Sequence, residues 1–238
     1  RVTRLRASSL DTVPSLSIER ARLVTEAYKE HEGKVPIPVL RALTFKKLME
    51  EKEIFIGDDE LIVGERGSSP KATPTFPELC CHSVEDFDVI NSREKTFFTV
   101  NAEAREVQEK EIIPFWQERA MRHRIFEEMT PEWKDCYEAG IFTEFMEQRA
   151  PGHTVADGKI YSKGFLDFKK DIRSAIDALD FLGDPHACDK KDELIAMDIS
   201  CDAIITYARR HAEKALELAE REIDPKRKEE LLEISRVC

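Results

Sequence analysis

Three side chains of different chemistry recur at four-residue intervals in one stretch of the sequence: Arg149, His153 and Asp157. Gly152 and Gly158 lie beside them, and polar residues on irregular backbone are better site candidates than polar residues on helices. A guanidinium, an imidazole and a carboxylate that meet can orient a small polar substrate and transfer protons. A surface ion pair with a backbone-bonded histidine explains the same residues, and the sequence leaves both interpretations open.

The adjacent residues Cys80, Cys81 and His82 suggest redox, thiyl or zinc chemistry. A thiol reacts only when its pKa is depressed, and an unpaired cysteine is more often a small buried apolar side chain. Adjacent residues cannot easily turn toward one tetrahedral zinc ion, and the sequence offers no second ligand pair. We therefore predict no metal site, and we expect the six cysteines to be reduced.

Asp198 and Asp202 lie four residues apart beside the apolar seam of a predicted helix. Paired carboxylates can perform acid–base catalysis, but they are more often a solvated helix flank or the partners of a neighbouring arginine. Nucleotide-binding glycine motifs, the nucleophile motif GxSxG and the zinc motif HExxH are all absent from the sequence. The residues alone thus indicate where a site could lie but specify no reaction.

The elements that must position these residues are mainly helical, with one small β-hairpin. Ile54–Ile56 and Leu61–Val63 are the predicted strands, and Gly57–Glu60 is the four-residue loop between them. Two windows rich in proline and glycine, Gly64–His82 and Arg149–Gly158, are expected to lack regular structure. We expect one helical unit from which two irregular loops project.

Caps and apolar periodicity define the predicted helices. In chain order, the first starts at the cap Ser17 and stops at Gly33, the second starts at Pro38, and the third opens at the capping box Ser83–Asp86. The fourth runs from Asn101 to Met129 with a kink or restart at Pro114, and the fifth runs from Thr130 to about Gln148. The sixth runs from Phe165 to Gly183, the seventh runs from the cap Asp189 to Ile223, and the eighth starts at Asp224–Pro225.

Composition excludes several classes of function. The 238 residues carry 37 basic and 48 acidic side chains, a net charge of −11, which argues against nucleic-acid or anionic-membrane partners. No apolar run reaches the length of a membrane span, and no signal peptide is evident. The chain opens at Arg1 without a methionine and stops at Cys238 within a predicted helix, so we expect it to be a segment of a longer protein.

Four ordered segments carry a resemblance to a known family: GERGSSPKATPTFPE at 64–78, RAPGHTV at 149–155, AMDISCDA at 196–203 and DPKRKEELLE at 224–233. Together they resemble the N-terminal part of the glycyl radical enzymes, the pyruvate formate-lyase-like family. Within that family the chain is more similar to the lyase and dehydratase branch (choline trimethylamine-lyase, glycerol dehydratase and isethionate sulfite-lyase) than to pyruvate formate-lyase, the formate C-acetyltransferase, itself.

The resemblance implies the helical N-terminal portion of a ten-stranded α/β barrel. In the family, a radical on a C-terminal glycine passes to a mid-barrel cysteine, whose thiyl abstracts hydrogen from a small substrate. The resemblance also implies a radical S-adenosylmethionine activating enzyme as partner, a homodimer, anaerobic metabolism, and a location in the cytoplasm or in a bacterial microcompartment. It implies no directly bound cofactor.

The chain departs from the family in lacking both radical loops, the RVxGYxxxF-like glycine loop and the GCxEP-like cysteine loop. We therefore expect residues 1–238 to be a partial pyruvate formate-lyase-like domain without the C-terminal glycine-radical domain, without catalytic residues, and inactive alone. Cys80 and Cys81 precede the expected cysteine loop, so the catalytic role is not assigned to them. The alternatives are a non-catalytic helical interaction module and, more remotely, a thiol or zinc enzyme.

By resemblance, Arg149, His153 and Asp157 are expected to contact the substrate. An unpaired Arg149 would repel a quaternary ammonium and favour a sulfonate, a carboxylate or a hydroxyl network. Pairing with Asp157 would cancel that preference. We expect a small hydroxylated or anionic substrate, with choline as the alternative, and cleavage of a C–O, C–N, C–S or C–C bond.

Overall fold

The computed structural model describes residues 1–141 and 157–238, which are mostly helical. The helices are α1 (Val2–Asp11), α2 (Glu19–His31), α3 (Ile37–Glu51), α4 (Val84–Ser92), α5 (Ala102–Val107), α6 (Ile113–Trp116), α7 (Met121–Glu128), α8 (Pro131–Glu138), α9 (Phe165–Asp177), α10 (Ala187–Arg221) and α11 (Pro225–Val237). A π-helical turn, Gln108–Ile112, joins α5 to α6, and a 3-10 turn, Asp157–Tyr161, precedes α9. Within these ranges no helix combines the length and apolar character that crossing a bilayer requires.

A small parallel sheet replaces the predicted hairpin. Its strands are β1 (Ser15–Ser17) and β2 (Ala72–Pro74), and Ser15 is aligned with Ala72. Thr99, outside the named strands, forms an isolated parallel β-bridge with Ser15 of β1. Part of the window predicted to be irregular is thus a strand, and Pro74 is tolerated there because it ends the strand. Ser17, the predicted helix cap, belongs to β1, and α2 begins at Glu19.

The hairpin prediction was wrong, since no strand forms between residues 54 and 63 of the described chain. Ile56 is buried against α10 and α11, so helices rather than a partner strand cover this apolar segment. The Arg227 guanidinium donates to the carbonyls of Gly57 and Glu60, at 2.8 Å each. Helix packing therefore covers the apolar residues of this segment, and an arginine binds two carbonyls of the predicted hairpin loop.

The predicted caps are mostly confirmed. Ser83 and Asp86 form a reciprocal capping box at α4, with backbone-to-side-chain distances of 2.9 and 3.2 Å. Thr130 caps α8 and Asp224 caps α11. Asp189 instead lies in the first turn of α10, where a carboxylate interacts favourably with the positive end of the helix dipole.

The long helix that periodicity predicts from Asn101 to Met129 is interrupted between Trp116 and Met121, after the predicted kink position Pro114. The π-helical turn Gln108–Ile112 lies directly before it, where the ring and its missing N–H disturb the hydrogen-bond ladder. The following turn buries Trp116, whose indole N–H donates to Thr25 Oγ1 at 2.8 Å. This contact joins α6 to α2 in the first hydrophobic core.

Helix α10 forms the second packing centre, because α3, α9 and α11 all lie against it. Its described core residues are small (Ala203, Ala215 and Ala219 are almost fully buried), which lets neighbouring backbones approach closely. The Arg210 guanidinium donates to the carbonyls of Met49 and Lys52 at the end of α3, at 2.8 and 2.7 Å. A cation at these unsatisfied carbonyls caps α3 on the surface of α10.

Gly67 is required by the close approach of its loop to β2. A Cβ at this position would lie 2.6 Å from Ala72 Cβ and 2.8 Å from the Ala72 carbonyl oxygen. We expect Gly67→Ala to lower the free energy of unfolding by about 1–3 kcal/mol, because backbone rather than a flexible side chain must move. Urea denaturation measures the change, with Ser69→Ala in the same loop as a near-neutral control. Equal stability of the two variants would contradict the close approach.

Candidate functional site

The structure places one of the three predicted substrate-contacting residues. Arg149 and His153 lie outside the described residues, so their proximity to Asp157 stays a prediction. Asp157 is exposed at the start of the 3-10 turn and has φ +52°, a left-handed conformation that aspartate tolerates better than most residues. The turn leads through Lys163 into α9.

A groove of about 870 Å³ lies beside this turn, between α3, α9 and α10. Its apolar walls include Phe45, Phe165 and Phe168, and its polar rim includes Arg41 and Lys159. Phe165 and Phe168 follow the apolar periodicity of this helix, and the structure leaves both rings half-buried. Sequence periodicity finds the apolar face of α9, whereas only the tertiary arrangement shows that part of this face lines a groove.

Below the groove, Lys169 binds both carboxylates that the sequence singled out. Its ammonium lies 2.7 Å from Asp198 Oδ2 and 2.8 Å from Asp202 Oδ2, and the lysine is 8% exposed. Burial by itself would lower the pKa of Lys169, but hydrogen bonds to the two aspartates outweigh it and raise the pKa above its ordinary value. The structural interpretation of the paired carboxylates is therefore preferred, with a lysine in place of the expected arginine.

A sequence signal for this lysine exists. Lys169 is four residues after Phe165 and three before Ile172, so it lies on the buried face of α9. A lysine on such a face requires counter-charges, because an unpaired buried ammonium is strongly unfavourable. Two aspartates spaced one turn apart on the facing helix are the expected partners.

The Cys80–His82 segment has the character of a structural element. Burial is the main factor that raises the pKa of the Cys81 thiol to about 11. His82 Nδ1 lies 3.5 Å from Asp86 Oδ2. The backbone carbonyl of His82 accepts a 2.6 Å hydrogen bond from the side-chain amide of the buried Gln108. The six cysteines all lie in the described ranges, where none forms a disulfide and no cluster of three metal-ligating side chains occurs. These features do not support a thiol enzyme or a zinc site there.

Lys52, at the end of α3, and Arg20 of α2 hold the first irregular window in place. Lys52 Nζ donates to the carbonyls of Glu65 and Arg66, at 2.9 and 3.1 Å. The Arg20 guanidinium donates to the Thr75 carbonyl at 3.1 Å and stacks over Phe76, 3.9 Å from the ring centre. Tyr207 of α10 accepts a further bond from Lys52. Because the window lacks a ladder of its own over most of its length, these donors fix its path.

The family now follows from comparison with known proteins. A family model described as pyruvate formate lyase-like matches residues 1–238. The chain belongs to this family. The resemblance seen in the sequence is thereby confirmed, and the relatives are the lyases and dehydratases that the resemblance predicts.

Two curated relatives show the range of similarity. A trans-4-hydroxy-L-proline dehydratase from Clostridioides difficile is 54% identical over 238 residues, which cover all of this chain and 30% of the relative. An isethionate sulfite-lyase from Nitratidesulfovibrio vulgaris is 31% identical over 251 aligned residues, again covering all of this chain and 30% of the relative. The chain thus spans about 30% of the length of these relatives.

Solved structures agree with the sequence relatives. The crystal structure of hydroxyproline dehydratase from Clostridioides difficile with trans-4-hydroxy-L-proline bound has a TM-score of 0.93 at 54% identity, covering 99% of this chain and 30% of that one. The glycerol-bound, B12-independent glycerol dehydratase from Clostridium butyricum has a TM-score of 0.85 at 30% identity, covering 100% and 30%. The mostly helical fold described above is therefore that of part of a glycyl radical enzyme.

Cys81 is expected to be a poor nucleophile. With a pKa of about 11, about 0.1% of its thiol is ionised at pH 8, and only the thiolate attacks an alkylating agent. We expect iodoacetamide to modify Cys81 at least about tenfold more slowly than the exposed Cys188. Tandem mass spectrometry distinguishes Cys81 from Cys80, and urea should abolish the difference. Faster modification of Cys81 than of Cys188 in the folded protein would revive the thiol interpretation.

Proposed function

We propose that the chain is the N-terminal segment of a glycyl radical lyase or dehydratase. The observation that carries this proposal is 54% identity over the whole chain to a trans-4-hydroxy-L-proline dehydratase, of which the chain covers 30%. The remainder of the proposed enzyme would supply the ten-stranded barrel, the radical cysteine and the C-terminal glycine domain. The enzymatic function is preferred to a non-catalytic helical module because the relatives described above are enzymes.

The proposed substrate is small and hydroxylated, and the proposed reaction is dehydration, the loss of water by C–O bond cleavage. The degree of identity makes trans-4-hydroxy-L-proline the first compound to test, because the isethionate sulfite-lyase is only 31% identical. A carbon radical beside a leaving group can expel that group at an otherwise unactivated carbon, which is the chemistry that the radical centre supplies.

Within this chain, Arg149, His153 and Asp157 are the proposed substrate-contacting residues. A guanidinium at Arg149 binds a carboxylate with paired, charge-assisted hydrogen bonds. The His153 imidazole can donate to the hydroxyl that leaves or hold a proton there. Asp157 either pairs with Arg149 or binds a cationic group of the substrate. The exposed side chain and left-handed backbone of Asp157 support a role outside the packed core.

The proposed assembly follows the family resemblance. A radical S-adenosylmethionine enzyme would install the glycyl radical, the full-length protein would be a homodimer, and the metabolism would be anaerobic. A cytoplasmic location, free or within a microcompartment, completes the proposal. All of these features concern the full-length protein rather than residues 1–238.

Activation of the complete gene product tests the function. We expect a reading frame that continues several hundred codons past Cys238 and contains cysteine and glycine loops. After anaerobic activation, electron paramagnetic resonance should detect a glycyl radical, and trans-4-hydroxy-L-proline should be consumed. Glycerol, propane-1,2-diol, isethionate and choline are the comparison substrates. A stop codon directly after Cys238, or an activated protein that turns over none of these compounds, would contradict the proposal.

The substrate contacts are tested in the same activated enzyme. Arg149→Ala and His153→Ala should each lower kcat/KM by about 10- to 150-fold, since a hydrogen bond to a charged group contributes about 1.5–3 kcal/mol. Arg105→Ala and His186→Ala are matched controls, because both residues are exposed in the described chain and pair only with nearby carboxylates. Wild-type kcat/KM in both test variants would show that Arg149 and His153 do not line the site.

A further inference from the structure

A second apolar groove lies beside α11, the last helix of the chain. We call it the α11 groove; it has a volume of about 900 Å³ between the bend at Leu61–Val63 and helix α11. Large apolar side chains are unusually exposed along it: Ile62 is 91% exposed and Val237 is 69% exposed. Contiguous exposed apolar surface in a folded protein typically marks a contact surface.

The groove is continuous with the second hydrophobic core. Ile234 lines the groove and is also buried in the cluster with Ile56 and Leu231. Val63, on the opposite wall, packs against the same cluster. The exposed residues therefore extend an existing core outward, as expected of a core that further polypeptide completes.

The charges on the rim are largely neutralised within the chain. Glu230 forms ion pairs with Arg1 and, at 3.3 Å, with Arg227. Glu233 accepts a 2.7 Å hydrogen bond from Arg236. An occupant would therefore find little net charge to match and would gain chiefly from burying apolar surface.

We propose that the α11 groove is covered by the polypeptide that follows Cys238 in the full-length enzyme. This inference rests on the proposed function, under which about 70% of the enzyme lies outside the present chain, since the chain covers 30% of its relatives. Val237 and Cys238 themselves line the groove. The following segment therefore starts at the groove and meets it at a high effective concentration, an advantage that no separate partner has.

Thiol labelling measures whether the groove is covered. Ile62→Cys is introduced into the full-length protein, and maleimide labelling of its peptide is followed by mass spectrometry in the native protein and in urea. We expect the introduced thiol to react at least about tenfold more slowly in the native protein than in urea. Leu182→Cys is the control, because Leu182 is fully exposed in the loop before α10. Protection at position 62 must exceed protection at position 182.

A second variant guards against local effects of the label. Ile62→Asp should lower the Tm of the full-length protein, because the charge would be buried there, whereas Leu182→Asp should leave the Tm unchanged. Equal labelling at position 62 in the native protein and in urea would overturn the inference. So would protection at position 62 that is lost when the protein is diluted, which would indicate a second copy in the groove.

The failure of this inference and that of the proposed function can be told apart. A full-length enzyme that forms the radical and turns over substrate, yet labels freely at position 62, would retain the function and refute the covered groove. A full-length protein that is protected at position 62 but inactive toward every substrate would refute the function and support the covered groove.

Discussion

One arginine of α10 anchors the C-terminal end of α3, in addition to the contacts between the two helices, and the first irregular window is held from the same point. Arg210 donates to the carbonyls of Met49 and Lys52, which the end of α3 leaves without helical partners. The Lys52 ammonium in turn donates to the carbonyls of Glu65 and Arg66. The end of α3 therefore connects α10 to the first irregular window.

The same physical solution recurs at several irregular segments of the part of the chain that the structure describes. A buried carbonyl must accept a hydrogen bond, and where no ladder exists a long cationic side chain can supply the donor. The donors that act in this way include Arg20 at Thr75, Lys52 at Glu65 and Arg66, and Arg227 at Gly57 and Glu60. An acidic protein therefore uses part of its smaller set of cations for hydrogen bonds within the chain.

This arrangement explains which parts of the fold could be predicted from sequence. Capping depends on residues three positions apart, so the Ser83–Asp86 box and the Thr130 cap are visible in the sequence and confirmed. The β-branched residues of Ile54–Val63 indicate burial, but they do not reveal whether a strand or a helix provides it. Helices α10 and α11 cover this segment, and Arg227, which lies 170 positions after Gly57, binds its carbonyls. No local sequence pattern contains this information.

The candidate site likewise has features that the sequence could predict and features that it could not. Helical spacing places Lys169, Asp198 and Asp202 on predictable faces of predicted helices, but their pairing depends on how α9 and α10 meet, and an arginine was the expected partner. The groove beside Asp157 could not be predicted, because α3, α9 and α10 line it and their relative positions are set by tertiary contacts. The family could be predicted from the resemblance of several ordered segments, because such segments carry information about the whole chain that local periodicity lacks.

Two of the four segments that carry the resemblance lie on helices α10 and α11, and two belong to the irregular windows. For the irregular segment 64–78 the structure gives a physical reason why its residue types are restricted. Gly67 has no space for a Cβ beside Ala72, and Pro74 is tolerated because it ends its strand. Backbone of this kind restricts the residue types at several neighbouring positions together. Such a segment therefore helps to identify a family even where, as at Cys80–His82, the neighbouring chemically conspicuous residues have a structural role.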